Sequence, residues 1–297
     1  MQSLKYAFRF IGRSFQLAKE NEALQKPWML QTLGHFALLI LWFLPLALVV
    51  GLIGFKPVGL ILVGVIIVLL VICWWVWGEI VASGFCHMFD TLFVNEELTP
   101  NSLPDRKRFQ DNWVDIFLFT LLLPGALLLN TIKRRFSKKM SAQPGWVEQH
   151  PLIQPVIVLE DLDLKGAAER VEGMVEGHLL RFQVGLMRVN LVARIAGWLL
   201  LVLGFAAGFW VSTLIVDPMT AGPWELILGV GAGLLVSGVF GLFGFGFSIY
   251  TRTCYHTALY RWVRNVEAAK TSGDSLKARP PAILAQVLSG AIVSKKE

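Results

Sequence analysis

The sequence predicts an all-α, polytopic membrane bundle. Four transmembrane helices are expected, with a re-entrant or in-plane helical hairpin and cytoplasmic amphipathic helices. Three observations predict it. Of 297 residues, 55% are hydrophobic and only 16% charged, against about 25% charged in a soluble domain. The apolar residues gather in four runs, each long enough to cross roughly 30 Å of hydrocarbon. The Lys and Arg residues are distributed so that one topology puts nearly all of them on a single face, as the positive-inside rule expects. The net charge of +6 then points to anionic lipid at the cytoplasmic leaflet. No aromatic-basic pattern of an RNA or DNA module accompanies it, so nucleic acid is not an expected partner.

Cys73, Cys86 and Cys254 form no CxxC and offer neither a disulfide framework nor a zinc site. The first apolar run begins at Trp28, and no short apolar segment ends in a small-residue cleavage site. The first span is therefore expected to remain as an anchor.

Residues 1–27 read as an amphipathic interfacial helix. Leu4, Phe8, Ile11 and Phe15 recur at helical spacing, and Lys5, Arg9, Arg13 and Glu20 take the other side. A mainly basic charged face favours lipid headgroups; a helix packed on the protein's own cytoplasmic part would carry the same stripe.

Residues 28–94 read as a transmembrane hairpin with a cytoplasmic extension. Pro27 suits a helix start. Trp28 to Leu52 is the first span, with a kink expected at Pro45. The short connection from Gly51 to Gly59 leads to a second span from Leu60 to about Ile80, and so short a loop predicts antiparallel neighbours. The second helix is expected to run on past the hydrocarbon. Glu79, Ser83, His87 and Asp90 fall on one face of it, and Gln31 and His35 lie one turn apart on the first span. These six residues are the densest polar constellation in the chain, and an ionisable group within a span is a functional candidate. Trp74, Trp75 and Trp77 give the competing reading, an aromatic belt that sets Glu79 at headgroup level. His35 and His87 could face each other as haem ligands, but one histidine pair on separate helices is too little to expect a cofactor.

Residues 95–190 carry a polar loop, a hairpin at 113–132 and an amphipathic helix at 164–190. If Trp113 to Thr131 crossed, Lys133, Arg134, Arg135, Lys138 and Lys139 would lie outside, and the chain would need to return before Arg181. The nine apolar residues from Pro151 to Leu159 would reach only about 14 Å as a helix. A re-entrant hairpin turning at Pro124-Gly125 removes the difficulty and leaves Lys56 as the only outside Lys or Arg among 27. The basic run then becomes a headgroup anchor. The connector 140–163 contains His150-Pro151 and Gln154-Pro155, which favour extended backbone, so a strand-like or irregular approach is expected, with Asp161 or Asp163 capping the next helix. From Leu164 to Val189 an apolar stripe predicts a helix, with Arg170 on its polar face.

Residues 191–271 read as a second transmembrane hairpin, Arg194 to Val216 and Trp224 to Tyr250, with a cytoplasmic continuation. Gly204 and Gly208 form a GxxxG, and Gly229, Gly233, Ser237 and Gly241 form a ridge. Small residues at every fourth position let two helices approach closely, within the chain or between two copies. Gly244 and Gly246 read as off the ridge. Residues 272–297 are a linker and a short apolar tail, expected to dock on the bundle, the membrane or a partner.

Pro155 to Glu160, followed by the helix from Lys165, and Tyr255 to Tyr260 after a Gly-rich span resemble patches of a group of uncharacterised bacterial integral membrane proteins. That group is similar in layout to the membrane domain found beside some glycerophosphodiester phosphodiesterases. The resemblance implies a polytopic helical protein and no catalytic residues. The chain also contains no P-loop, GxSxG, HExxH, DxD or Ser/His/Asp arrangement with usable spacing. The expectation is a non-enzymatic, multi-pass protein of the cell membrane with both termini cytoplasmic. It would be a scaffold or accessory subunit of a membrane complex, or a membrane-shaping protein, in contact with anionic headgroups, other subunits or a second copy. The competing expectation is a small-solute or lipid transporter with a polar site near Glu79 and His35.

Overall fold

The computed structural model describes residues 2–54, 56–95, 114–119, 122, 146–176, 188–216, 222–274 and 278–293. Among them there are helices and no strand. In chain order they are α1 (Gln2–Glu20), α2 (Gln25–Ile53), α3 (Pro57–Asn95), α4 (Trp146–Glu160), α5 (Leu164–Glu176), α6 (Val189–Ile215), α7 (Pro223–Ser272) and α8 (Ala282–Val293). A 3₁₀ turn at Glu22–Leu24 separates α1 from α2. Four helices are long and apolar enough to cross a membrane: Glu22–Ile53, Pro57–Val94, Val189–Ile215 and Gly231–Ser272. The described residues are thus all-helical in class and fit a multi-pass membrane protein.

The two hairpin turns and the long extensions follow from local chemistry. Gly54 closes α2 at φ 67, where a Cβ would be penalised, and α3 starts at Pro57, whose missing N–H is no loss in a first turn. Nothing in the sequence stops α3 at the end of its apolar run, and it continues to Asn95. In the same way α7 runs for 50 residues, about 75 Å.

The chain divides into two compact units. The first comprises residues 1–27, 79–192 and 250–297; the second comprises 28–78 and 193–249. In the second unit large apolar side chains lie open on the outside, among them Leu41, Leu52, Ile61, Trp198, Phe209 and Leu214. The first unit has a closed apolar core that includes Phe10, Phe85, Phe89, Tyr255, Ile153 and Ile157. Tyr250 sets its ring 5.3 Å from both Phe85 and Phe89. Its hydroxyl donates to the Ser14 carbonyl at 2.8 Å, tying α1 to α7, and Phe10 meets Tyr255 edge-on at 5.2 Å. The apolar tail is a helix, α8, that packs on α1 and buries Ile283, Leu284 and Val287.

The connector before Asp161 is neither strand-like nor irregular: Trp146–Glu160 is a helix containing both Pro151 and Pro155. Leu152, Ile153, Val156 and Ile157 are all buried and share one helical face. An interior proline costs about 3 kcal/mol, so two cost about 6. Burial of four large aliphatic side chains contributes about 1.5–3 kcal/mol each, which meets or exceeds that cost. Packing therefore overrides the local preference. Asp161, at φ 58, then reverses the chain. Asp163 caps α5, its Oδ1 accepting from the Gly166 N–H at 2.8 Å.

The α5 helix is described as far as Glu176 and buries Ala167, Val171 and Met174; the expected continuation over 177–187 lies outside the described residues. So does most of the expected hairpin at 113–132, together with Lys133, Arg134, Arg135, Lys138 and Lys139. Of that hairpin, residues 114–119 are helical. They bury Ile116 and Phe119, and Asp115 Oδ1 accepts from the Leu164 N–H at 3.2 Å.

Candidate functional site: the polar clusters of the two units

In the first unit the side chains of α3 and α7 meet in fixed register. Arg252 Nη2 lies 3.4 Å from Glu79 Oε1, at a separation of 173 residues. Cys86 Sγ lies 3.1 Å from Thr257 Oγ1, at a separation of 171. Arg261 Nη1 then pairs with Asp90 Oδ1 at 3.6 Å, keeping that second separation. Residue numbers that rise together along two helices mean that the helices run parallel. Glu79, Ser83, Cys86 and Asp90 fall on one face of α3 because their spacing follows the helical repeat.

Gln154 of α4 joins this face. Its Nε2 donates to the Glu79 carbonyl at 3.1 Å and lies 3.2 Å from Ser83 Oγ, while the Ser83 hydroxyl donates back to the Glu79 carbonyl at 2.9 Å. Glu79 and Ser83 are buried. The Glu79 carboxylate is thus paired with a guanidinium from another helix, which is the usual condition for a buried charge. His87 is half-buried on α3.

A second cluster joins α4, α5 and α7. Glu160 Oε1 accepts from Tyr260 Oη and from Arg264 Nη1, each at 3.1 Å. Arg170 Nε lies 3.0 Å from Glu160 Oε2, and its two terminal nitrogens donate to the two oxygens of Glu267 at 2.9 and 2.5 Å. The carboxylate of Glu267, and after it that of Glu160, raises the Arg170 pKa above the ordinary arginine value against the opposing effect of burial. Arg170 therefore stays cationic and bridges two carboxylates, in the bidentate geometry that a guanidinium favours.

In the second unit His35 is buried on α2, with Nδ1 2.7 Å from the Gln31 carbonyl and Nε2 3.2 Å from the Trp74 carbonyl. Both ring nitrogens face backbone carbonyl oxygens. The buried Gln31 side chain has no hydrogen-bond partner for either amide atom among the described residues. Glu79, Ser83, His87 and Asp90 belong to the first unit, Gln31 and His35 to the second.

The small residues of α6 and α7 meet directly. A Cβ on Gly208 would strike the Gly233 carbonyl and Ser237 Oγ, and one on Gly204 would lie 3.0 Å from the Ser237 carbonyl. Ser237 Oγ is 2.8 Å from the Gly233 carbonyl and 3.1 Å from the Gly204 carbonyl. Gly229 backs onto Val216, and Gly241 onto Leu201. Gly244 also lies on this contact, facing Gly197 backbone to backbone, so the ridge is one turn longer than its spacing suggested. Paired numbers fall on one helix as they rise on the other, so α6 and α7 are antiparallel. Gly246 and Gly238 belong to another face of α7, against Trp28 and Leu39 of α2.

The sequence reading missed Gln154, Glu160, Arg170, Arg252, Tyr260, Arg264 and Glu267 as members of polar clusters. The basic residues of α7 carried a signal as markers of sidedness. The Glu160, Arg170 and Glu267 triad carried none, because its members are far apart in the chain and each looks like a solvated surface charge. No family model, curated protein or solved structure matches the chain.

Proposed function

We propose that this chain is a non-catalytic, multi-pass protein of the cell membrane, serving as a scaffold or accessory subunit of a membrane complex. The observation that carries this reading is the use of charge in the first unit. Glu79 pairs with Arg252, Asp90 with Arg261, and Glu160 and Glu267 with Arg170, each across two helices. Charges engaged in this way hold helices in place rather than meeting a substrate.

The proposed topology has four crossings and both termini cytoplasmic, and the parallel run of α3 and α7 supports it. Two parallel spans leave the membrane on the same side, so the chain between them crosses an odd number of times. The α6 helix supplies one crossing. The α4 helix, with 15 residues, reaches only about 22 Å and cannot supply another across roughly 30 Å. A fifth crossing at 113–132 would make α7 antiparallel to α3. On this reading the segment 113–132, most of which lies outside the described residues, does not cross, in keeping with the re-entrant or in-plane hairpin expected from the sequence.

A second reading, a transporter of a small solute or lipid, is favoured by one group, the buried and unpartnered Gln31 amide beside His35. Exchanging the charges of one pair separates the two readings. With E79R/R252E in the full chain, a structural pair predicts that the double variant regains the thermal stability lost by each single variant, and runs at native size on blue native gels in mild detergent. A double variant as unstable as the singles contradicts the structural reading.

A further inference from the structure

The α1 helix has three edges, one of them buried against the other described residues. Tyr6, Ala7, Phe10 and Ser14 are buried, held on α7 by the Tyr250–Ser14 hydrogen bond and the Phe10–Tyr255 ring contact. Leu4 and Phe8 form a second stripe at helical spacing and are exposed, Phe8 at 62%; further along it Ile11 is buried and Phe15 sets its ring 6.1 Å from that of Tyr250. Lys5, Arg9 and Arg13 form a third stripe beside it and are also exposed. The apolar arc is therefore wider than the face buried among the described residues, and its exposed edge is bordered by a basic row. We infer that this exposed edge is a lipid-binding surface: Leu4 and Phe8 enter the acyl boundary, and Lys5, Arg9 and Arg13 engage anionic headgroups of the bilayer.

Charge complementarity selects lipid as the occupant. Within Gln2–Glu20 the cations are Lys5, Arg9, Arg13 and Lys19, and Glu20 at the last position is the only carboxylate. Position along the chain agrees, because α2 begins at Gln25, so α1 ends within five residues of a span and lies at a membrane surface. An in-plane helix with aromatic residues on one edge and Lys or Arg on the next is the general form of an interfacial anchor. The inference rests on α2 crossing the membrane, as proposed above.

The test uses the full chain, with its native cysteines replaced, in vesicles of phosphatidylcholine with and without phosphatidylglycerol. A nitroxide is placed singly at Phe8, at Gln16 on the polar side, and at Leu44 on α2. Collision with oxygen, which partitions into lipid, is compared with collision with a water-soluble nickel chelate. The expected result is lipid-like exposure at positions 8 and 44 and water-like exposure at position 16. Immersion of position 8 should increase with anionic lipid, and the increase should be absent in K5Q/R9Q/R13Q. Water-like exposure at position 8 with lipid exposure at 44 overturns the lipid surface while leaving the span intact. Shielding of position 8 from both reagents also overturns it, since a protein then covers the edge. Water-like exposure at position 44 overturns the span itself.

Discussion

Gly208 and Gly233 bring two helix backbones together in the second unit, beneath an outer surface of Trp198, Phe209 and Leu214. In the first unit Glu160 is gripped by Arg170, Arg264 and Tyr260, around a core of buried aromatic rings. The contrast follows from the solvent each composition suits. In lipid, apolar side chains gain nothing by leaving the surroundings, so close backbone approach and interhelical hydrogen bonds must hold helices together. Where water is the solvent, burial of rings supplies the drive, and paired charges fix which helix meets which. The two long helices α3 and α7 supply residues to both units, so one continuous element serves both kinds of packing.

Substitutions that attack one kind of packing and not the other sharpen this contrast, each measured as thermal unfolding of the purified chain in mild detergent. E160A should cost most, about 3 kcal/mol, because it removes the acceptor shared by Arg170, Arg264 and Tyr260, although Arg170 keeps Glu267 and Arg264 is half open to solvent. In the second unit G208V should cost about 1–3 kcal/mol by forcing α6 from α7. The same substitution at Gly12, which has open space around it, should cost little beyond helix propensity, so equal losses at the two glycines would undo the packing argument. Y250F should cost about 1 kcal/mol, the net worth of a single hydrogen bond to Ser14. Smallest of all is Q31M: it removes an amide with no partner, so the chain should lose no stability and gain up to about 1 kcal/mol. A marked loss at Gln31 would show that its amide is engaged in the fold and would remove the support it lends to the transporter reading.

The membrane class and the four long apolar helices were legible because a span is a local property of some twenty residues. So were the α6–α7 contact, from its repeated small residues, and the Asp163 cap. The α4 helix was not legible, because its two prolines speak locally against it while the burial that overrides them depends on distant helices. The basic stripe of α1 was visible, yet not which apolar edge would be buried: Leu4, Phe8, Ile11 and Phe15 stand out in sequence, and of these only Ile11 is buried, beside Tyr6, Ala7 and Phe10. The parallel register of α3 and α7 was invisible too, since partners separated by 171 residues share no local pattern.

That register is the centre of the topological account, and single cysteines in a cysteine-free chain test it most directly. Positions Asn95, Ser137, Ser272 and Lys56 are labelled with a membrane-impermeant maleimide in intact and in permeabilised cells. The account predicts that 95, 137 and 272 react only after permeabilisation, while 56 reacts in intact cells. Labelling of 95 and 272 from opposite sides would contradict it.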